Sequence, residues 1–302
     1  MKKDHGIAIV IIFGIIALVI FAGMKNKQQA GPNTKINSNQ TGNETVEEAD
    51  LKDLQKQIDE AKIQTEDLRK QIQGEEIRKT ESEYKGKVLL SQVSRNTDPS
   101  KEYITIKVNS KIIERINLTG WTLKSLSTQT SVTIGGGTPL FFSSVPNGEE
   151  NIYVTGGEII YVISGISPNG ISFKTNKCSG YLQQFQKYTP TISSNCPAPR
   201  YENLSEIPDL TINDACFSYI KSFPSCKVQT KNLPINWSVE CKNFITTKIN
   251  YNSCINVHKN DKDFYKKEWR VYLKRSGHVW KSKDEELVLY DNLGKFVSRL
   301  KY

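Results

Sequence analysis

The placement of six cysteines constrains this chain more than any other feature. Cys178, Cys196, Cys216, Cys226, Cys241 and Cys254 fall in one stretch, and none lies before or after it. Their number is even, no pair has C-x-x-C spacing, and the only histidines are His5, His258 and His278. That pattern reads as disulfides made in an oxidising compartment and argues against a zinc site.

A route to such a compartment is written near the N-terminus. No charged side chain occurs from Gly6 to Met24, a run dense in Ile, Val, Phe and Ala, while Lys2, Lys3, Lys25 and Lys27 flank it. The run approaches the ~20 residues needed to cross a bilayer as a helix. Ile20 and Phe21 stand where a cleaved signal peptide would carry small residues. Residues 1–27 are therefore expected to be an uncleaved single-pass transmembrane helix. The flanking lysines leave its orientation open, and the cysteines resolve it. The N-terminus is expected in the cytoplasm, and the bulk of the chain outside the cell membrane or in the periplasm.

Residues 28–44 are polar, include Gly31-Pro32, and read as a linker. Thr45 with Glu48 matches a capping box that opens a helical stalk over 45–83. Leu51, Leu54, Ile58, Ala61, Thr65, Leu68 and Ile72 alternate spacings of three and four, until Gly74 interrupts. Two readings are open: a short coiled coil that joins copies into a homo-oligomer, or a single charged helix acting as a spacer. From Glu44 to Lys85 there are 8 basic and 13 acidic residues, and from Gly86 to Tyr302 there are 28 and 18. An acidic stalk thus carries a basic head. Such a head can meet an anionic envelope polymer or DNA, or its charge simply solvates it.

Beyond Gly86 short β-prone runs, Tyr103 to Val108, Leu140 to Phe142 and Ile159 to Ile163 among them, alternate with turn residues such as Gly135-Gly136-Gly137, Pro146-Asn147-Gly148 and Gly156-Gly157. The expected fold is mainly β, a sandwich over residues 86–302. A helical insertion interrupts it at about 200–265. One helix there starts near Asn213 or Asp214 and stops at Pro224, and a second runs from Ser238 to Asn250. Strands return at Trp269–Leu273, Glu286–Tyr290 and Lys295–Tyr302, the last two joined by the turn Asp291-Asn292-Leu293-Gly294. Cys178 is expected to pair with Cys196. If the two helices pack antiparallel, Cys226 meets Cys241 and Cys216 meets Cys254. The alternative is sequential pairing, Cys216 with Cys226 and Cys241 with Cys254, which requires the chain to double back along each helix.

The segment Ile116-Asn117-Leu118-Thr119-Gly120-Trp121-Thr122-Leu123 resembles the one that marks the lamin tail domain, an immunoglobulin-like β-sandwich. Glu102 to Val108 is similar to that family's preceding strand, and Leu287 to Val297 to its closing hairpin. The likeness covers residues 87–163 and 268–302. It implies a fold and a binding or adhesive role, and it carries no catalytic residues. In such a sandwich Gly120 permits a turn, and Trp121 is expected as a core anchor rather than a sugar-stacking platform.

A search for chemistry returns little. The triple glycine lacks the Lys and Ser/Thr of a phosphate cradle, and Gly165-Ile166-Ser167-Pro168-Asn169 has Asn where a nucleophile elbow needs Gly. Asp261-Lys262-Asp263 lacks the spacing of a calcium loop, and His258 and His278 default to surface residues. Neither a cofactor nor a metal is called for. Lys266, Lys267, Arg270, Lys274 and Arg275 form, with nearby aromatics, a candidate anionic-ligand patch. Arg270 and Tyr272 would share one strand face and Trp269 and Val271 the other, with the cations mostly solvated. The expected function is a membrane-anchored extracellular binding or structural module without catalysis. The alternative is an envelope-associated hydrolase or nuclease with an unrecognised site.

Overall fold

The computed structural model describes residues 44–302, with side chains from residue 51 onward except at residue 211. The expected anchor over 1–27, and all but the last residue of the linker over 28–44, lie outside the described residues. No helix among the described residues is long and apolar enough to cross a membrane. The chain divides into two units, residues 1–68 and 69–302. In the first, helix α1 (Glu44–Thr80) begins and runs on past the division. Its large apolar side chains are exposed, between 65% at Leu51 and 43% at Ile58.

In the second unit eleven strands form three sheets. The first joins β1 (Val88–Ser94), β2 (Tyr103–Val108), β7 (Ile159–Ile163), β9 (Tyr265–Tyr272) and β8 (Phe173–Asn176), in that order across the sheet. Every pair in it is antiparallel except β7 with β9. The second sheet joins β11 (Phe296–Lys301), β10 (Glu286–Tyr290), β4 (Thr122–Ser125) and β5 (Ser131–Thr133). A small third sheet pairs β3 (Ile116–Asn117) with β6 (Tyr153–Val154).

Period-two burial shows how the first two sheets meet. Ile104, Ile106 and Val108 of β2, Ile160 and Val162 of β7, and Trp269 and Val271 of β9 point one way. They join Leu123, Val132, Leu287, Leu289 and Val297 of the second sheet in a single core. Trp121 sits fully buried within it, its ring 5.3 Å from that of Tyr84. Gly120 holds φ at +88°, a conformation that side chains resist. Ser298 closes the seam between sheets by accepting a hydrogen bond from the Leu90 N–H at 3.1 Å.

Between β8 and β9 the chain leaves the sheet for residues 177–264. It makes short 3-10 turns and three helices: α2 (Asp214–Ser222), α3 (Val239–Lys248) and α4 (Tyr251–His258). These cover the other face of the first sheet. Ile163, Phe173 and Tyr272 on that face share a second core with Tyr181, Tyr188, Ile220, Phe244, Ile245 and Ile255 of the insertion. The middle of the first sheet is thus buried on both sides.

Three sequence expectations need correction. The insertion begins right after β8, well before residue 200. The expected second helix stops at Lys248, and a separate α4 follows, with the Asn250 side chain accepting from the Ser253 N–H at 2.9 Å. Leu140–Phe142 forms no strand, and Phe141 instead packs into the second core.

Candidate binding face on the insertion

The insertion is tied by three disulfides, Cys178–Cys254, Cys196–Cys226 and Cys216–Cys241, with Cα separations of 5.9, 5.2 and 6.3 Å. Each expected pairing is overturned: Cys178 does not pair with Cys196, nor Cys226 with Cys241, nor Cys216 with Cys254. Sequential pairing is equally absent. The extra helix is the reason. Cys254 is not a residue just beyond α3 but lies inside α4, near its start, which brings it to Cys178 just past the end of β8. Cys216 and Cys241 both sit in the first turns of their helices, so start meets start. Cys226, at φ +58°, turns back to Cys196 instead. Gly180 lies against that bridge, where an added Cβ would collide with the Cys226 and Cys196 sulfurs.

A chain of ion pairs fastens the edge of the insertion. His258 at the end of α4 contacts Glu202 through Nε2 at 3.0 Å and Asp261 through Nδ1 at 2.9 Å. Lys177 then bridges Asp261 at 2.8 Å and Asp263 at 2.5 Å. Burial alone would lower the pKa of His258, but hydrogen bonds to the two carboxylates outweigh it and raise the pKa above the ordinary 6.5. The Lys177 ammonium holds both aspartates below their ordinary 3.8. His258 is therefore a bridging group and not the surface histidine expected. His278 is more exposed, yet its Nδ1 lies 2.8 Å from the buried Glu102 carboxylate. That carboxylate also accepts from Arg95, from the Ser164 hydroxyl and from the Val279 N–H.

The proposed cationic patch does not assemble as expected. Arg270 and Tyr272 do share a face of β9, but the insertion covers it and Arg270 is fully buried. Its guanidinium donates to Glu268 at 2.9 Å, to the Thr191 carbonyl at 3.2 Å and to the Pro190 carbonyl. Five donors in a rigid fork suit such a clamp, whereas a solvated role would not need burial. Lys267 donates to the Gly156 carbonyl at 3.1 Å, and Lys274 pairs with Glu149 at 3.2 Å. Lys266 and Arg275 are exposed.

A different feature emerges on the outer side of the second core. Four stretches of chain converge on a groove of about 550 Å³: residues 141–143, 168–169, 181–186 and 250–252, with Val228 at one side. The Phe185 ring stands 71% exposed at its edge. Tyr251 donates its hydroxyl to the Phe141 carbonyl at 3.0 Å, and the Ser143 hydroxyl donates to the Asn252 amide oxygen at 3.0 Å. Asn169 accepts from the Tyr188 hydroxyl at 2.6 Å, while its amide nitrogen is buried without a partner. Sequence reasoning missed these residues. Isolated Asn, Ser and Phe in loops form no motif, and only the disulfides and the second core bring them together.

The molecule is thus a β-sheet head with one sheet face covered by a disulfide-tied helical layer. Comparisons with family models, curated proteins and solved structures found no match.

Proposed function

We propose that the chain is a membrane-anchored extracellular binding or structural module. Residues 1–27 hold it in the membrane, the stalk joins it to a second copy, and the head is a lamin-tail-like, immunoglobulin-like sandwich carrying the insertion. The observation that carries this reading is the set of three disulfides downstream of a membrane-length apolar run. Bridges of this kind persist in oxidising compartments. The family resemblance is supported by the buried Trp121 at the junction of two sheets sharing one core, and by the β10–β11 hairpin that turns through Asp291 and Gly294.

Protease added to intact cells should degrade the head and leave the N-terminal segment in the carbonate-washed membrane. A head that is degraded only after lysis would overturn the location, and a soluble mature form starting near residues 23–31 would overturn the anchor. The charge of the head keeps an anionic envelope polymer or DNA as candidate partners. Their binding would weaken steeply with salt.

A further inference from the structure

No acidic residue occurs from Ala215 to Val239, while Lys221, Lys227 and Lys231 lie in that stretch. None of these lysines makes an ion pair among the described residues. The same stretch carries the most exposed large apolar side chain among the described residues, Ile235 at 95%, followed by Val239 at 63%. Apolar groups left in water beside uncompensated cations mark a surface built to meet something else.

The two features share one place in the fold. Ile235 tops a turn in which the Trp237 N–H donates to the Pro234 carbonyl at 3.3 Å. The Trp237 ring lies 5.2 Å from that of Tyr219 on α2, and Tyr219 lies 5.4 Å from Phe223; all three rings are half-buried. Helix α3 starts directly after the turn, its Cys241 N–H capped by the Ser238 hydroxyl oxygen at 3.1 Å and its Cys241 bridged to Cys216 of α2. The tip is therefore fixed to two helices. Lys242, three residues beyond Val239 on the same side of α3, donates to the Ile235 carbonyl at 3.2 Å. Gln229 accepts from the Tyr219 hydroxyl at 2.5 Å and donates to the Lys231 carbonyl at 2.6 Å, which holds Lys231 beside the rings. Lys221 sits in the last turn of α2. The acids of these two helices, Asp214 and Glu240, occupy the first turns, where free N–H groups favour negative charge.

A polyanion in water complements the lysines but has no use for Ile235. An anionic bilayer complements both, because phosphates lie directly above an apolar layer. Tryptophan, apolar in its body and polar at its N–H, suits the boundary between them. We propose that this tip docks the head on a lipid bilayer with anionic headgroups, Ile235 and Val239 entering the apolar layer and Lys221, Lys231 and Lys242 meeting the phosphates. The proposal goes beyond the anchored-module reading by giving the head a membrane contact of its own.

The test uses the full chain held in a phosphatidylcholine nanodisc; a chain that stays soluble without lipid is used as it is. It is floated with vesicles of phosphatidylcholine alone or with about 30% phosphatidylglycerol. The anionic vesicles should bind and the neutral ones should not, and salt should weaken the binding. Trp121, Trp269 and Trp280 are buried, so tryptophan emission should shift to the blue on docking, and Trp237→Phe should remove the shift. Ile235→Asp should weaken docking at least about tenfold with an unchanged melting temperature, since the side chain is exposed. Lys221→Gln with Lys231→Gln should weaken it by about tenfold or more. Ile113→Asp, a change at another exposed isoleucine, should leave docking intact. Absence of vesicle binding, or full binding by Ile235→Asp, overturns the proposal. Binding of heparin or DNA without vesicles, or self-association that Ile235→Asp abolishes without vesicle binding, assigns the tip to a polyanion or to a second copy and overturns it too. A head that ignores vesicles yet is cleaved by protease on intact cells sinks the docking alone and leaves the anchored module standing.

Discussion

Trp121 and His258 are single residues whose removal has a calculable signature. Trp121 is fully enclosed by both sheets and by Tyr84. Trp121→Ala should cost about 3–5 kcal/mol in chemical denaturation. A loss below about 1 kcal/mol would mean the ring is not a core anchor. His258 makes a pH prediction whose sign is fixed by its raised pKa. Its contribution is complete below the ordinary 6.5 and is lost as pH rises through the folded value. Asp261 and Asp263, with lowered pKa values, act oppositely: their contribution is present above 3.8 and is lost as pH falls through the folded values. The ion-pair chain is therefore most effective between about pH 4 and 6.5. Melting curves of the wild type and His258→Gln should converge as pH rises above about 6.5, and parallel curves would remove the bridging role.

Among the elements, α1 carries the most specific claim about a partner. Its seam places Leu51, Ile58, Thr65 and Ile72 at one core position of the heptad and Leu54, Ala61 and Leu68 at the other. Three of the first set are β-branched and two of the second are Leu, the combination that favours two parallel strands. The flanking positions hold Gln57, Gln64 and Gln71 opposite Gln55, Lys62 and Arg69, so no like charges face across the seam. Leu68→Cys in the full chain should oxidise to a covalent dimer, whereas Ile63→Cys, on the outer side, should not. Equal cross-linking at both positions, or none at either, rejects the parallel pair. The strands legible in the sequence are those made of short apolar and β-branched runs bounded by turn residues, such as β2, β7 and β10. The short β8 is not, because Phe173 is its only apolar residue, and pairing to β9 rather than local pattern makes it a strand. Helix α4 did leave a local signal, a capping Asn250 ahead of Tyr251, Cys254 and Ile255 at helical spacing. The groove left none, since its walls come from segments far apart in sequence.

At the scale of the whole molecule, the disulfides determine whether the second core holds. Peptide mapping without reduction should recover Cys178 linked to Cys254, Cys196 to Cys226, and Cys216 to Cys241. The double change Cys216→Ala with Cys241→Ala should cost about 2–4 kcal/mol. Recovery of Cys178 linked to Cys196 would refute the arrangement of α2 to α4. The order of pairing along the chain has a consequence for assembly. Every bridge skips at least one neighbouring cysteine, so no two cysteines consecutive in sequence are partners. A polypeptide exported in sequence order behind an N-terminal anchor presents its thiols one at a time, and an oxidase acting at the exit would join neighbours. All six emerge before β9 and β10, the strands that complete the interiors of the two large sheets. On the export reading, maturation of this head depends on thiol–disulfide exchange, and a cell envelope able to oxidise but not to reshuffle would accumulate it mispaired.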